Sequence, residues 1–542
     1  MVIHTHFSDG ARIEAHSSGF EISQLGQIVG SQLDQQMFDD DNLTSVSEKL
    51  NLLNGFYAIC WARPGLLFAA VDQVRSIPLF YANGCTDFYL SDSAEWVRSQ
   101  IGDAEMCSLA QQEFVMTSHV TGPDTLYKNV KQLQAGEVLE VREIDGKKSL
   151  QSLQYYSFKH NEPTVFDEKV LSDKLNSAVS DCIDNLISFA DGKQIAIPLS
   201  GGFDSRLIAT ILKEKKYKNV ITFSYGVAGN KESFFSKQVA ENLGLEWIYL
   251  EYNDLRWDQM INNPDRWRYQ LMASGLCSQP HIQDWIAVNI LKDDPRIHKD
   301  CIFVPGHSAD FVAGSHIPEQ AFIKDSFTQE EVLDSIFSTW YLNSPLNEAD
   351  FKKSVWFERI LKSTPIKADN TPWEYADRFE HWDWQERQAK FICNSVRLYE
   401  FFEFNWWMPF WDRTFMDFWL DVPLYLRRDR AWYNEYVQKK YIDNINAEQV
   451  KKLGNAVDDP WLVSFLRKSY IFRISGFRKF ASYFWQKFRN MFIKHDSLEL
   501  GSLIPSKRYK ILEKQGYKTN GMQSFEFLRE YKKMIANKKD LV

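Results

Sequence analysis

The chain lacks the features that would place it across a membrane or in an oxidising compartment. No stretch of about 18 uncharged apolar residues occurs, so a membrane-spanning helix is not expected. The amino terminus has no basic segment followed by an apolar one, which argues against a secretory signal. The seven cysteines are scattered and form no C-x-x-C pair, which favours a reducing compartment. We therefore expect a soluble cytoplasmic protein.

An excess of basic residues is also missing. The formal net charge is −9, so the overall balance does not favour nucleic acid as a partner, and none is predicted. Hydrophobic residues make up 44% of the chain and aromatic residues 15%, which is typical of a folded protein rather than a disordered one. At 542 residues the chain is long for one core, and two domains with a smaller addition are expected.

The residue pattern changes near position 160. Residues 1–160 form short alternating runs separated by Pro, Gly, Asn or Asp, which predicts a β-rich domain. From Asp167 onward, apolar residues recur at helical steps, and strand-like and helical segments then alternate to about Tyr252. Such alternation predicts a parallel α/β sheet whose ligands lie beyond the carboxyl ends of its strands. Residues 258–440 look mainly helical and rich in Trp and Phe.

One segment predicts a phosphate site. An apolar strand at 194–199 runs into Ser200-Gly-Gly-Phe-Asp-Ser205 and then into an apolar helix. Adjacent glycines let backbone N–H groups close on an anion, the serine hydroxyls add donors, and the helix presents its positive amino-terminal end. Because a carboxylate within a phosphate cradle would repel its ligand, Asp204 is predicted to bind Mg²⁺. A capped glycine turn between a strand and a helix would explain fewer of these positions.

This loop has no Walker lysine. It resembles the pyrophosphatase loop of the asparagine synthetase family, which has the sequence Ser-Gly-Gly-x-Asp-Ser. Members of that family cleave ATP between its α and β phosphates. The resemblance covers about residues 50–440. Its other motifs in the synthetase part are Thr222-Phe-Ser-Tyr-Gly226, Gly306-His-Ser-Ala-Asp310 and Met408-Pro-Phe-Trp-Asp412. Three upstream segments, at 53–58, 72–81 and 125–136, resemble the family's glutaminase domain.

The resemblance implies an α/β fold, α+β overall. It divides the chain into an Ntn-hydrolase-like β-sandwich domain (1–160), a doubly wound, adenine-nucleotide α-hydrolase-like domain with many helices (161–455), and a basic amphipathic helical extension (456–542). It implies ATP and Mg²⁺ as cofactors, with the metal at Asp204 and Asp310. The residues that it places at the nucleotide are Leu199, Ser200, Gly201, Gly202, Asp204, Ser205, Tyr225, Pro305 and Gly306.

The family's glutaminase nucleophile is missing. In the family it is a Cys at position two, whereas Val2 has no nucleophilic atom here and the first cysteine is Cys60, in a predicted buried strand. We therefore do not expect glutamine hydrolysis. Structural support, substrate gating and docking of a nitrogen-supplying partner remain as roles for residues 1–160.

Three further residues are candidates for catalysis. His307 stands where the resemblance would place a Glu that helps to deprotonate the attacking amine, and it is either that base or a satisfied loop residue. Arg206 is predicted to hold a phosphate or the substrate carboxylate, or else to pair with a surface acid. Lys452, next to Lys451, lies where the family keeps a lysine that stabilises adenylation, with a solvated surface lysine as the alternative.

The carboxyl-terminal part reverses the overall charge. Residues 461–494 contain eight Arg or Lys and no Asp or Glu, with Phe and Met recurring at helical steps. Two interpretations are open. The segment packs its apolar stripe on the synthetase domain, or it contacts anionic lipid or a membrane-bound partner at the inner membrane face.

The sequence thus predicts an AMP-forming carbon–nitrogen ligase, with asparagine formation among the reactions that the resemblance implies. The predicted partners are a small-molecule carboxylate and ammonia or an amine donor, and a homodimer is left open. The alternatives are an intramolecular cyclase of the β-lactam synthetase or lasso-peptide cyclase kind and a nucleotide-binding pseudoenzyme that acts as an assembly factor.

Overall fold

The computed structural model describes residues 1–8, 10–15, 20–29, 42–345, 353–446, 449, 504 and 506–536. The described chain has the predicted α/β fold, in which mostly antiparallel sheets are followed by a parallel sheet and many helices. Lys452 and the basic segment 461–494 lie outside the described residues. The limits predicted for the domains, at 160 and 455, stay predictions.

The first half contains two sheets. The larger one is antiparallel, with the strand order β10-β9-β5-β4-β3-β2, and the smaller has the order β1-β7-β6-β8, in which β1 pairs in parallel with β7. The elements are β1 (Val2–His6), β2 (Arg12–Ala15), β3 (Glu21–Val29), α1 (Leu43–Leu50), β4 (Asn54–Arg63), β5 (Leu66–Val71), β6 (Phe80–Asn83), β7 (Asp87–Ser91), α2 (Ala94–Gln100), α3 (Ser108–Thr117), β8 (Lys131–Gln132), β9 (Glu137–Ile144) and β10 (Lys147–Gln154).

The centre of the larger sheet is buried on both faces. All six residues of β5 are buried, as are those at 55–61 in β4. A strand that is covered on both faces has a continuous run of apolar residues instead of alternating apolar and polar ones. The sequence of β5, Leu-Leu-Phe-Ala-Ala-Val, shows this continuous pattern. Phe68 of this sheet and Phe88 of the smaller sheet are fully buried members of one core.

The second half is built on a five-stranded parallel sheet with the order β13-β12-β11-β14-β17. From β11 the chain moves to one side for β12 and β13 and to the other side for β14 and β17, so β11 lies at the topological switch point, where ligands of such sheets bind. The elements are α4 (Glu168–Ala190), β11 (Ile195–Pro198), α5 (Phe203–Glu214), β12 (Val220–Val227), α6 (Lys231–Leu243), β13 (Glu246–Tyr252), β14 (Ile302–Phe303), β15 (Phe327–Thr328), β16 (Asp369–Asn370) and β17 (Asn405–Trp406).

Helices cover the sheet and reach back to the first half. Tyr531 lies in the last described helix, α18 (Thr519–Ala536), and forms hydrogen bonds with Tyr127 and with Glu95 of α2, so this helix docks on the helical side of the first half. No described helix is both long and apolar enough to cross a membrane. The helices are α7 (Asp254–Asn262), α8 (Pro264–Ser274), α9 (Trp285–Leu291), α10 (Ala309–Val312), α11 (Gln329–Trp340), α12 (Lys353–Ser363), α13 (Pro372–Asp383), the π-helix Trp384–Ile392, α14 (Arg397–Phe401), α15 (Arg413–Leu420), α16 (Ala431–Asp443), α17 (Ser506–Lys514) and α18 (Thr519–Ala536), with 3₁₀ turns at Glu319–Phe322, Cys393–Val396, Pro409–Trp411 and Leu424–Arg430.

Candidate active site

The predicted phosphate loop joins β11 to α5 at the switch point. Gly202 is the N-cap of α5 and provides no side-chain cap, so the first turn of the helix keeps backbone N–H groups without that partner. The Ser200 N–H donates to Ser205 Oγ at 3.1 Å, and the Gly202 N–H donates to Ser200 Oγ at 3.1 Å. The two serine side chains therefore hold the loop closed on itself at the positive end of the helix.

Two glycines allow close packing around this loop. A Cβ added to Gly306 would lie 2.7 Å from the backbone nitrogen of Ser205, and one added to Gly201 would lie 3.2 Å from Cβ of Phe235. The segment after β14 therefore approaches the loop closely enough to exclude any side chain at 306. This contact brings the two predicted motifs, 200–205 and 306–310, into one site.

The site contains two adjacent carboxylates, as the sequence predicted. The backbone N–H of Asp310 donates to Asp204 Oδ2 at 3.1 Å. Burial, followed by the negative charge of Asp310, raises the pKa of Asp204 above its usual range. The Ser315 hydroxyl donates to Asp310 Oδ2 at 3.3 Å. Two carboxylates held together in a half-closed site favour a cation between or beside them.

The donor set fits Mg²⁺ bound together with a phosphate ligand. Mg²⁺ is commonly held by one or two carboxylates, while phosphate oxygens and water complete its octahedron. Asp204 and Asp310 supply the carboxylates, and the loop beside them supplies the N–H groups for phosphate. No group of three or more His, Cys, Asp and Glu side chains that could hold a metal occurs within the described part of the chain.

A second helix also points its amino-terminal end at the carboxylates. The Tyr433 hydroxyl donates to Asp204 Oδ1 at 3.0 Å, and Arg430 lies 3.5 Å from Asp310 Oδ2. Further along, Lys440 pairs with Glu214 at the end of α5 at 3.2 Å. Helices α16 and α5 therefore run in parallel, and both of their positive ends face the site. The sequence predicted helical structure through residue 440 but did not place this helix at the site, because no motif links 430–433 to the loop.

Replacing Tyr433 by Phe tests this contact. Without the hydroxyl, the buried Asp204 carboxylate loses one donor, and a hydrogen bond to a charged group is worth about 1.5–3 kcal/mol. We expect nucleotide-dependent turnover to fall about tenfold, with a smaller change in melting temperature. The exposed Tyr425→Phe variant is the matched control and should behave like the wild type. Unchanged turnover in Tyr433→Phe would show that the contact has no role.

Arg206 lies deeper than the sequence indicated. Its Nη2 donates to the Gly201 carbonyl at 2.9 Å, and its guanidinium lies 5.2 Å from the ring centre of Tyr441 and 5.4 Å from that of Phe203. Only 7% of the residue is exposed, and burial lowers the pKa of its guanidinium. The position favours a role in holding the loop from behind. The catalytic role assigned to Arg206 stays a prediction.

His307 directly follows Gly306, the residue that packs against the loop. Its Nε2 forms a hydrogen bond of 2.8 Å with Ser395 Oγ. Burial is the main cause that lowers the pKa of His307 to about 4, while Asp284 and Asp310 oppose this shift and His281 adds to it. The ring is therefore neutral at pH 7, and it lies within electrostatic reach of Asp310 and of a second acid, Asp284.

The remaining predicted positions lie around the loop. Leu199 is buried directly before the loop, and its N–H donates to the Phe223 carbonyl at 2.8 Å. Pro305 immediately precedes Gly306, on the short connection that leaves β14. Tyr225 lies near the carboxyl end of β12 and donates its hydroxyl to Asp284. Lys452 falls outside the described residues, so its predicted role stays a prediction.

The two positions considered for the family's glutaminase nucleophile, Val2 and Cys60, lie in β1 and β4. Val2 opens β1, and the amino group of Met1 pairs with Glu143. Cys60 is 3% exposed within β4, and burial raises the pKa of its thiol far above the usual range. Because the thiolate is the nucleophilic form of cysteine, this environment does not favour Cys60 as a replacement for the family's nucleophile.

Part of the parallel-sheet half is similar to known proteins. Residues 174–256 match the family model for asparagine synthase. The microcin J25-processing protein McjC of Escherichia coli is 24% identical over 291 residues, which cover 52% of this chain and 51% of that protein. The glutamine-hydrolyzing asparagine synthetase 1 of Bacillus subtilis (strain 168) is 26% identical over 205 residues, which cover 37% of this chain and 31% of that protein.

Among solved structures, the glutamine PRPP amidotransferase of B. subtilis, complexed with ADP and GMP, aligns with 49% of this chain and 74% of that one at 10% identity. Its TM-score of 0.20 is too low to support a conclusion. The chain spans about half the length of McjC and about a third of the asparagine synthetase. The family match covers both β11 and the phosphate loop. Over residues 174–256 the parallel-sheet half is therefore similar to the asparagine synthase family.

Proposed function

We propose that this chain is an ATP-dependent, amide-forming enzyme that activates a carboxylate as an acyl-adenylate. The observation that carries the proposal is the carboxylate pair, Asp204 and Asp310, held beside an anion-binding loop at the switch point of the sheet. The family match of residues 174–256, which contain this loop, supports ATP as the nucleotide.

The proposed chemistry has two steps. A carboxylate oxygen of the substrate attacks the α-phosphorus of ATP, the bond between the α-phosphorus and the bridging oxygen breaks, and pyrophosphate leaves. An amine nitrogen then attacks the acyl carbon, the bond from this carbon to the oxygen of AMP breaks, and a proton is lost from nitrogen. Bound Mg²⁺ would screen the charge of the departing pyrophosphate. The loop amides and the ends of α5 and α16 hold that charge in place.

We assign to His307 the role of the base that accepts the proton released from the amine. Its neutral ring can accept a proton, and its hydrogen bond to Ser395 Oγ fixes the orientation of the imidazole. Asp284 and Asp310 lie within electrostatic reach and would stabilise the imidazolium as it forms. The alternative, a structural role for the Ser395 contact alone, predicts that His307→Gln changes stability without changing the rate of amide formation.

In this proposal, the nitrogen atom of the new amide comes from ammonia, from an external amine or from an amine of the substrate itself. Val2 has no nucleophilic atom and Cys60 is buried, which favours a nitrogen source other than glutamine. Ring closure within one substrate is the second candidate, and the observation that favours it is the alignment with McjC over 291 residues. A pseudoenzyme that only binds nucleotide is the third.

One experiment separates these candidates. The protein is incubated with ATP, Mg²⁺ and a panel of carboxylates, and pyrophosphate release is measured with ammonia, with glutamine and without added nitrogen. We expect pyrophosphate with at least one acid, and an amide with ammonia but none with glutamine. A product formed without added nitrogen indicates ring closure. Absence of pyrophosphate with every acid would contradict the enzyme proposal and favour the pseudoenzyme.

A further inference from the structure

The turn that leads into α16 has an unusual backbone conformation. Asp429 and Arg430 have φ angles of 54° and 59°, which lie in the left-handed region. Within the described part of the chain, they are the only two consecutive residues other than glycine that both have a positive φ. Residues with a side chain rarely adopt this region, and they remain in it where the surrounding structure enforces it. The turn therefore requires contacts that hold it.

This turn determines how two side chains meet the carboxylate pair. Arg430 Nη1 lies 3.5 Å from Asp310 Oδ2, and the Tyr433 hydroxyl donates to Asp204 Oδ1 at 3.0 Å. Because Arg430 is the N-cap residue of α16, its backbone conformation sets the direction in which this helix starts. Another conformation at 429–430 would displace both contacts together. The orientation of the two carboxylates therefore depends on the turn.

Arg427 anchors the turn from the preceding 3₁₀ segment. Only 2% of the residue is exposed, and its Nη2 donates to both carboxylate oxygens of Glu380 in α13, at 2.6 and 2.7 Å. Glu380 is fully buried. Burial raises the pKa of Glu380 to about 7, and the positive charge of Arg427 is the largest influence that opposes this shift. The charge on the buried carboxylate therefore depends mainly on this arginine.

Arg427 also packs against the segment that carries Asp310. A Cβ added to Gly314 would lie 2.7 Å from the carbonyl oxygen of Arg427 and 2.9 Å from its Cβ. The Gly314 N–H donates to the Phe311 carbonyl at 2.8 Å. The next N–H, that of Ser315, donates to the Asp310 carbonyl at 2.9 Å. Arg427 is thus held between α13 and the turn that follows Asp310.

A buried ion pair is a poor source of stability. Both charges lose their water when the protein folds, and this loss can exceed the attraction between them. Replacing such a pair by apolar side chains of similar size is often neutral or stabilising, so the conformation that the pair specifies explains its presence better. Arg427 lies two residues before Asp429, and the conformation that its pair with Glu380 can specify is the left-handed turn.

We propose that Glu380 is a positioning residue for the carboxylate site. Through Arg427 it holds residues 427–430 in their present conformation and thereby directs Arg430 and Tyr433 onto the two carboxylates. Glu380 acts only through this arginine and does not contact the nucleotide. The inference rests on the proposed function, which requires the two carboxylates for binding of nucleotide with Mg²⁺.

The test removes the ion pair from the full-length protein in two ways. Glu380→Gln leaves Arg427 without its counter-charge, whereas the double variant Glu380→Met/Arg427→Met removes both charges. Hydrogen exchange in the first two turns of α16 is measured by mass spectrometry without ligand, and binding of α,β-methylene-ATP with Mg²⁺ by calorimetry. In both variants we expect exchange at least tenfold faster and binding about tenfold weaker. The double variant should nevertheless melt close to the wild-type temperature.

A double-mutant cycle separates positioning from general destabilisation. If Glu380 acts by directing Arg430, Glu380→Gln should weaken binding of the analogue by no more than about threefold in a protein that already carries Arg430→Gln. A purely structural role of Glu380 predicts the same loss in both backgrounds. Glu435→Gln, on the exposed face of α16, is the matched control and should exchange and bind like the wild type.

Three results would overturn the inference while leaving the proposed function intact. They are unchanged exchange of α16 in Glu380→Gln, wild-type affinity for the analogue in the double methionine variant, and equal losses of affinity in the two backgrounds of the cycle. A wild-type protein that does not bind the analogue would contradict the proposed function itself, and the inference would fall with it.

Discussion

Replacing Asp204 by Asn should abolish ATP-dependent pyrophosphate release while leaving the protein folded. The amide oxygen can still accept the N–H of Asp310, but the negative charge that would hold Mg²⁺ is lost. Loss of a group that stabilises transition-state charge typically costs about 10²–10³-fold in rate, and we expect at least the upper part of that range. Pyrophosphate release with the activated acid is the measurement.

The stability of this variant should not fall greatly. Burial and the neighbouring Asp310 already disfavour the charged form of Asp204, so a neutral side chain removes charge repulsion from the native state. Asp181→Asn, on the exposed face of α4, is the matched control and should keep wild-type activity. Full pyrophosphate release by Asp204→Asn would be incompatible with a metal at this position.

Replacing Gly306 by Ala should weaken nucleotide binding. The added Cβ would meet the backbone nitrogen of Ser205 at 2.7 Å and its Cα at 3.1 Å, and backbone atoms cannot rotate away as a side chain can. One of the two segments must move, which costs about 1–3 kcal/mol in a well-packed contact. We expect the affinity for a nonhydrolysable ATP analogue to fall about tenfold or more, as measured by calorimetry.

The control for Gly306→Ala is Gly10→Ala. A Cβ at Gly10 would meet no atom within 4 Å, so this variant should bind the analogue like the wild type. If Gly306→Ala binds the analogue with unchanged affinity, the close approach of the two segments is not needed for the nucleotide, and the site has to be described without it.

The phosphate loop and its carboxylate could be predicted because their residues are contiguous in the chain. The strand, the glycines and the helix that follow each other at 194–212 determine both the turn and the direction of the helix end. The second carboxylate, Asp310, could be placed through its resemblance to a motif, and the structure brings it to the loop through the missing side chain of Gly306.

The rest of the site depends on contacts that no local pattern contains. Tyr433 and Asp204 are 229 residues apart, and their hydrogen bond exists because α16 runs parallel to α5. The sequence suggests that the Arg206 guanidinium is available to bind an anion. In the fold, the rings of Phe203 in α5 and Tyr441 in α16 cover it.

Binding of a nonhydrolysable ATP analogue, with and without Mg²⁺, tests the central claim most directly. Calorimetry with α,β-methylene-ATP does not require the acid substrate to be known, because it measures only the affinity of the nucleotide for the loop and the carboxylates. We predict micromolar affinity with Mg²⁺, at least tenfold weaker binding with excess chelator, and the same loss in Asp204→Asn when Mg²⁺ is present. Binding that is absent, or that is identical in all three titrations, would contradict the assignment of the Ser200–Ser205 turn and Asp204 as a metal-assisted nucleotide site.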